Sequence, residues 1–160
     1  MRDYFKKNIT RSGQETERLG KKVAGSLFGP AVFGLVGDLG AGKTQFVKGL
    51  ALGLGIKAHI TSPTFVLLKI YKIKNHQSAI INLQSSICNL VHIDCYRLAD
   101  SSELLDLGFK EFLQNKNSLI VVEWADKIKS ILPKDTIWIK FNHGKKPEER
   151  VIVFQNQDII

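Results

Sequence analysis

The sequence predicts a three-layer α/β sandwich, in which a mainly parallel sheet carries helices on both faces. Three short runs, at residues 31–37, 90–94 and 118–124, are almost wholly apolar, as strands buried on both faces are. Segments with apolar residues at helical spacing follow the first two runs, at residues 44–54 and 101–113. Strands that alternate with helices in this way are typical of parallel sheets. The length of 160 residues suits one domain, so we expect residues 1–160 to form a single unit.

The composition is that of an ordinary soluble protein, with 44% hydrophobic and 24% charged residues. Cys88 and Cys95 are too few for a disulfide framework and lack the spacing of a CxxC metal site, so we expect the protein to be located in the reducing cytoplasm. No apolar run approaches the roughly 18 residues that span a bilayer, so no membrane partner is expected.

The net charge of +8 favours anionic partners. The excess is dispersed, because residues 1–30 carry seven basic and three acidic groups and residues 57–75 carry four basic groups and no acidic one. This distribution fits either a solvated surface that is basic or a patch for nucleic acid or an acidic partner.

The first third of the chain predicts a helix, a strand, a loop and a second helix. Ser12 with Glu15 three residues later is a capping pattern, and apolar residues follow at a spacing of four. Pro30 ends this first helix. The strand at residues 31–37 then leads into a glycine-rich turn, and the second helix continues to Gly55.

The rest of the chain predicts further strands around one more helix. The β-branched and aromatic residues after Pro63 favour a strand at a sheet edge. Residues 72–89 lack a clear period and are interpreted as a hairpin or an extended loop. One helix, capped by Ser101 or Ser102, follows the second apolar run. Two final strands complete the sheet, at residues 136–141 and 150–154.

The first strand and the second helix are joined by GDLGAGKT, residues 37–44, which matches the phosphate-binding pattern G-x-x-x-x-G-K-[ST] in full. Glycines let the backbone approach phosphate oxygens closely, so that its N–H groups form an anion-binding nest. We expect Lys43 to reach the β- and γ-phosphates and the Thr44 hydroxyl to ligate Mg²⁺. The predicted nucleotide-binding residues are Gly37, Asp38, Leu39, Gly40, Ala41, Gly42, Lys43, Thr44 and Gln45.

Two carboxylates end apolar runs, and the carboxyl ends of parallel strands meet at one edge of a sheet. Asp94 ends the second run and Glu123 lies at the end of the third. We expect Asp94 to hold Mg²⁺, directly or through water, and Glu123 to orient or activate the attacking water. The candidate metal ligands are therefore Thr44, Asp94 and Glu123.

Other residues near these motifs have more than one interpretation. Thr64 lies in a loop after the phosphate helix, where nucleotide switches place a hydroxyl that senses the γ-phosphate, but it also fits an ST-turn or the start of a strand. Trp124 fits core packing or a lid over the nucleotide. His92 is expected to pack or hydrogen-bond locally. The candidate catalytic residues are Glu123, Lys43, Thr64 and Asp94, and Trp124 is a further candidate for contact with the nucleotide.

The residues around the loop narrow the class of nucleotide-binding protein. The residues CYR follow Asp94 where a GTPase has D-x-x-G, and the N-K-x-D lookalike at residues 115–118 lacks the aspartate that reads guanine. A small-molecule kinase needs an arginine-rich lid, whereas the five arginines of this chain are not clustered. These features disfavour GTP and leave an ATPase, a nucleotide-dependent switch and a small-molecule kinase as hypotheses.

The ordered set GDLGAGKT, SPTF, HIDCYRL and VVEW resembles the TsaE family, small bacterial ATPases of tRNA threonylcarbamoyladenosine biosynthesis. The resemblance runs from about Gln14 to Arg150. It implies a cytoplasmic ATPase that uses ATP and Mg²⁺ and works with two partner subunits, of the TsaD and TsaB type. Those partners transfer a threonylcarbamoyl group to the adenosine beside the anticodon of ANN-decoding tRNAs. In such a complex the chain contacts the tRNA directly or through the partners, and ATP hydrolysis resets the complex between turnovers.

The resemblance also implies roles for single residues. Residues 12–16 correspond to an N-terminal segment that can lie near the adenine. Two departures concern surfaces, because the segment before Leu90 is longer than a minimal member needs and Lys69 with Ile70 replaces an expected acidic residue. The matching residues are Lys43 and Thr44 for phosphate and magnesium, Thr64 for the switch threonine, Asp94 for the metal carboxylate, and Glu123 with Trp124 for the acid–aromatic pair.

Overall fold

A computed structural model of the chain describes residues 7–73 and 86–155. Within these ranges it contains seven strands, four α-helices and a 3-10 helix. The strands are β1 (Lys7–Thr10), β2 (Ala31–Gly37), β3 (Leu68–Lys72), β4 (Asn89–Asp94), β5 (Ser118–Glu123), β6 (Ile137–His143) and β7 (Arg150–Gln155). The helices are α1 (Gly13–Gly25), α2 (Lys43–Gly53), α3 (Ser102–Asp106) and α4 (Phe109–Gln114), and the 3-10 helix covers Ala125–Ile131.

The strands form one mixed sheet in the order β1-β7-β6-β2-β5-β4-β3. The four inner strands β6, β2, β5 and β4 are parallel, whereas β1, β7 and β3 pair antiparallel with their neighbours. The predicted parallel sheet is thus confirmed for its centre. The flanking strand β1 was missed by the sequence analysis, because its four residues KNIT carry little apolar pattern.

Helices cover both faces of this sheet, as predicted. Along β5, Leu119 and Val121 pack in the core under α1 and α2, whereas Ile120 and Val122 pack in the core under α3, α4 and the 3-10 helix. Alternate residues of a strand point to opposite faces, so a run that is apolar throughout requires this double cover. None of the helices within residues 7–73 and 86–155 has the length and hydropathy of a membrane span.

Glycines bring α1 and α2 into very close contact. A Cβ added at Gly20 would lie 2.2 Å from the carbonyl oxygen of Phe46, and one at Gly49 would lie 2.0 Å from that of Glu17. The backbones of the two helices therefore touch directly. Because α2 begins at Lys43, this contact also sets the position of the loop that precedes it.

The predicted start of α1 is confirmed. Ser12 occupies the N-cap position, and its Oγ accepts a hydrogen bond from Glu15 N at 3.1 Å. The Glu15 carboxylate in turn accepts from Arg11 N at 2.8 Å, so two backbone donors at the helix start are satisfied.

The single helix predicted after β4 is wrong, because the structure has two short helices there. Gly108 separates α3 from α4 with a φ of 80°, a left-handed conformation that interrupts the helix. Ser101 occupies the N-cap position of α3 without a side-chain capping bond, and Ser102 N donates instead to Asp100 Oδ1 at 2.9 Å.

The edge strand predicted after Pro63 is confirmed, although it begins only at Leu68. Val66 N and Leu67 N both donate to Pro63 O, which closes a turn before the strand. Of the segment predicted as a hairpin or loop at residues 72–89, residues 74–85 lie outside the described residues. Both final strands are confirmed as β6 and β7.

Candidate functional site

The glycine-rich loop connects the end of β2 to the start of α2 through left-handed backbone conformations. Gly37, Gly40 and Gly42 have φ values of 140°, 72° and 99°. A Cβ at Gly37 would lie 2.2 Å from the carbonyl oxygen of Phe141 on β6, so a side chain there has no space. Gly42 is the N-cap of α2 and offers no side-chain acceptor to the N–H groups of the first turn. This arrangement suits the binding of an anion at the helix N-terminus.

Lys43 is buried behind the loop, with 4% of its surface exposed. Its Nζ donates to Gly37 O at 2.6 Å and to Asp38 O at 2.8 Å, and it lies 4.0 Å from the centre of the Trp124 ring. Burial lowers the pKa of Lys43 from its ordinary value, while the Glu123 and Asp94 carboxylates act in the opposite direction. The ammonium group thus lies beside the loop, where phosphate oxygens would approach.

The two predicted carboxylates meet at the carboxyl edge of the sheet. Parallel β4 and β5 pair Asp94 directly with Glu123 in register. Glu123 accepts from Thr44 Oγ1 at 2.9 Å through Oε1 and at 3.0 Å through Oε2. The hydroxyl of the first turn of α2 and the carboxylate that ends β5 are therefore in direct contact, and that these two groups hold Mg²⁺ stays a prediction.

Asp94 is held by donors from a loop and from its own strand end. Its Oδ2 accepts from Thr64 Oγ1 at 2.6 Å and also from Ser62 Oγ, and its Oδ1 accepts from Tyr96 N at 2.9 Å. The two hydroxyls, Ser62 Oγ and Thr64 Oγ1, lie 2.5 Å apart. Sequence reasoning selected Thr64 but missed Ser62, although the spacing S-x-T places both hydroxyls in one turn.

Trp124 continues directly from Glu123 with a φ of 58°, a left-handed conformation that is rare outside glycine. Its ring lies 5.1 Å from that of Tyr96 and is partly exposed. The residue is therefore neither fully packed in the core nor free of contacts. It forms one wall of the site beside Lys43.

These residues enclose a cleft of about 350 Å³. Gly37 and Asp38 contribute carbonyl groups to Lys43 and line a neighbouring groove instead of this cleft. Phe65 at the cleft mouth stacks under the Arg97 guanidinium, whose centre lies 4.2 Å from the ring centre. The cleft is lined by Leu39, Gly40, Ala41, Gly42, Lys43, Thr44, Gln45, Ser62, Thr64, Phe65, Asp94, Tyr96, Glu123 and Trp124.

The side chains of this cleft fit a small hard cation. Thr44, Asp94 and Glu123 supply only oxygen atoms, and Mg²⁺ is usually held by one or two carboxylates together with phosphates and water. Within the described ranges there is no group of three or more His, Cys, Asp or Glu side chains that could hold a metal ion.

Two contacts to the site come from residues that sequence reasoning did not place there. His92 on β4 lies 2.8 Å from Glu123 Oε1 through its Nε2. Arg150, at the start of β7, donates from Nε to Gly40 O at 3.1 Å. His92 precedes Asp94 by two residues and so shares its face, which was a usable signal, whereas Arg150 is 110 positions from Gly40 and gave none.

Residues 10–152 match the family model described as Threonylcarbamoyl adenosine biosynthesis protein TsaE. The tRNA threonylcarbamoyladenosine biosynthesis protein TsaE of Treponema pallidum is 41% identical over 131 residues, which cover 82% of this chain and 87% of that protein. The protein of the same name from Bacillus subtilis is 37% identical over 145 residues, 91% of this chain and 82% of that protein. A crystal structure of Bacillus subtilis YdiB is similar with a TM-score of 0.70 and 31% identity, over 92% of this chain and 82% of that chain.

Proposed function

The chain belongs to the TsaE family of tRNA threonylcarbamoyladenosine biosynthesis, and from that membership we propose that it is a Mg²⁺-dependent ATPase that acts with a partner transferase complex. One observation carries the proposal. The glycine loop and the start of α2 share a cleft with a hydroxyl, Thr44, and two carboxylates that end neighbouring strands, Asp94 and Glu123. A phosphate cradle next to such oxygen donors is the arrangement used for hydrolysis of nucleoside triphosphates.

The loop and Lys43 bind the phosphates in this proposal. Backbone N–H groups of the loop would bind the phosphate oxygens. Ala41 N donates to Asp38 O at 3.2 Å in the structure and would exchange that partner for phosphate, as Lys43 would exchange Gly37 O and Asp38 O for the β- and γ-phosphates. Thr44 and the carboxylates of Asp94 and Glu123 would hold Mg²⁺, directly or through water. The chemistry that such an ion would supply is neutralisation of charge on the phosphates.

Glu123 orients or activates the attacking water, and Thr64 reports the state of the γ-phosphate. Two hydrogen bonds support these roles, because Glu123 accepts from the Thr44 hydroxyl and the Thr64 hydroxyl donates to Asp94. ATP is the proposed nucleotide, since the N-K-x-D motif that reads guanine is incomplete. Thr16, in the segment proposed to lie near the adenine, approaches the loop, since its Cγ2 would lie 3.5 Å from a Cβ at Gly42.

The proposed partners are subunits of the TsaD and TsaB type, and the tRNA is met directly or through them. Exposed apolar side chains support a protein partner at this place: Leu39 and Phe65 line the cleft and Val66 follows Phe65 in the chain, with 71%, 83% and 58% of their surfaces exposed. Val66→Ser should lower stimulation of ATP hydrolysis by the partners. Leu52→Ser, at a position that is 47% exposed near the C-terminal end of α2 and outside the cleft, is the control and should leave stimulation unchanged. Equal stimulation of both variants would contradict a partner at this place.

Nucleotide binding and turnover test the core of the proposal. Binding of ATP is followed through the fluorescence of Trp124, in a chain whose second tryptophan is replaced by Trp138→Phe. Lys43→Ala should weaken ATP binding by about 10- to 100-fold, since a charge-assisted hydrogen bond contributes about 1.5–3 kcal/mol. Lys48→Ala, on the same helix outside the cleft, should bind as the parent does. Glu123→Ala should keep ATP bound and stop release of γ-phosphate.

Three results would redirect the proposal. If Lys43→Ala bound ATP as tightly as Lys48→Ala, the site assignment would be wrong. If the parent bound ATP and released no phosphate even with partners, a nucleotide-dependent switch would replace the ATPase. If labelled γ-phosphate moved to a metabolite, the chain would be a small-molecule kinase.

A further inference from the structure

His92 is a fully buried imidazole with 0% exposure, and it contacts the carboxylate at the end of β5. Its Nε2 lies 2.8 Å from Glu123 Oε1, the same oxygen that accepts from Thr44 Oγ1 at 2.9 Å. Glu123 is itself 3% exposed. The carboxylate is thus held between a ring on its own sheet and a hydroxyl on α2.

The sheet register explains why the ring reaches this place. Asp94 pairs with Glu123, and His92 pairs with Val121, one step earlier on the same face of the two parallel strands. A side chain at position 92 therefore lies directly below the pair of carboxylates. The length of the side chain at position 92 determines which atom of Glu123 it contacts.

The chemistry of the two nitrogens shows the direction of this contact. A carboxylate oxygen accepts hydrogen bonds, so the contact is a hydrogen bond in the tautomer of the ring that carries its proton on Nε2. Nδ1 is also buried, and within the described residues it has no hydrogen-bond partner. A polar ring buried only to fill space would cost more free energy than an apolar one of similar size. The orphaned nitrogen therefore favours a role for the bond that Nε2 makes.

We propose that His92 is a positioning residue, whose Nε2–H fixes Glu123 Oε1 and so holds the carboxylate in the orientation that places both of its oxygens at Thr44 in the cleft. The inference rests on the proposed function, because it gives a purpose to the orientation of Glu123. It concerns the placement of the carboxylate and requires no change of charge on the ring.

Two polar variants of equal charge separate this role from simple packing. The amide nitrogen of His92→Gln occupies about the place of Nε2 and keeps the bond to Glu123. The amide of His92→Asn occupies about the place of Nδ1, the nitrogen without a partner, and loses the bond. A structural role of a buried polar side chain would not favour the Gln variant, whereas positioning of Glu123 requires that it does.

The first measurement is the Mg²⁺ concentration that half-saturates binding of ADP, read by Trp124 fluorescence, which needs no turnover. His92→Asn should raise this concentration by about 10- to 100-fold, the range found when partners of metal-binding residues are removed. His92→Gln should stay within about threefold of the parent. In turnover of Mg²⁺-ATP at saturating Mg²⁺, kcat should fall in the Asn variant with KM little changed, and the Gln variant should recover it. Equal values for parent and both variants, or equal losses in both variants, would overturn the inference.

Failure of the inference and failure of the proposed function give different results. A parent chain that binds Mg²⁺ and ADP but never hydrolyses ATP refutes the ATPase, and the Mg²⁺ titration still decides the role of His92. If His92→Asn does not fold, imidazole ¹⁵N spectra of the parent and of Glu123→Gln decide instead. A proton on Nε2 whose signal shifts in Glu123→Gln supports the contact, and an unchanged signal overturns it.

Discussion

The close contact of α1 and α2 yields a prediction in which one substitution type has opposite effects at two positions. Gly49 lies in the middle of α2, and a Cβ there would be 2.0 Å from Glu17 O and 2.8 Å from Glu17 C, both backbone atoms of α1. Ordinary van der Waals contact begins at 3.4 Å, so the two helices must move apart to admit a methyl group. Gly25, at the end of α1, has nothing within 4 Å of its added Cβ.

Two opposing terms set the magnitude. Glycine to alanine within a helix gains about 1 kcal/mol from helix propensity. Overpacking against a fixed backbone costs about 1–3 kcal/mol or more, and a backbone oxygen cannot rotate away as a side chain does. Gly49→Ala should therefore lower the free energy of unfolding by up to about 2 kcal/mol. Gly25→Ala should raise it, by up to about 1 kcal/mol.

Urea unfolding of the parent and both variants measures these changes through the midpoint at constant m-value. Because α2 begins with Lys43 and Thr44, the displaced helix of Gly49→Ala should also bind ATP more weakly, whereas Gly25→Ala should bind it as the parent does. Equal stability of the Gly49→Ala and Gly25→Ala chains would show that helix propensity alone accounts for both variants and that the contact of α1 with α2 is not limiting.

Three further predictions test other parts of the molecule. Thr64→Val keeps the volume of the side chain but removes the hydroxyl that donates to Asp94, so ATP turnover should fall while ATP binding is retained. The control Thr61→Val, at an exposed position outside the cleft, should change neither the turnover rate nor the affinity for ATP. Ser12→Ala removes the acceptor of Glu15 N and should lower the free energy of unfolding, measured in urea, by about 1 kcal/mol. Ser101→Ala removes no capping bond and should lower it little. Equal losses in both variants would contradict the capping role of Ser12. Burial raises the pKa of the Cys95 thiol to about 12, so this thiol stays neutral at about pH 9. A thiolate-specific reagent should therefore modify only the half-buried Cys88 of the native chain. Modification of both cysteines would contradict this prediction.

The loop and the strand ends could be predicted because the signals are local. The pattern GDLGAGKT specifies a strand, a phosphate loop and a helix within a few residues, and the structure has this order as β2, the loop and α2. Asp94 and Glu123 could be brought together because parallel strands align their carboxyl ends, and β4 and β5 pair them in register. For this pair, the alignment of parallel strands is enough to predict a contact between residues far apart in the sequence.

Other features depend on contacts that no short pattern records. The break between α3 and α4 depends on a single left-handed residue, Gly108, inside a stretch with helical spacing. The support of the glycine loop by Arg150 depends on the order of strands at the far side of the sheet, and the bond of His92 to Glu123 depends on the length of a side chain. β1 forms because its backbone adds to the edge of β7, although its four residues have little strand pattern of their own.

We propose above a partner-activated ATPase whose chemistry depends on Glu123. The most direct measurement is release of γ-phosphate from Mg²⁺-ATP by the chain alone, and then with TsaD- and TsaB-type subunits and tRNA, with Glu123→Ala as the blank. The chain alone should release phosphate slowly, release should be faster with the partners, and the variant should release none under either condition. Release from Glu123→Ala at the parent rate, or no release from the parent with partners while ATP stays bound, would contradict the proposal.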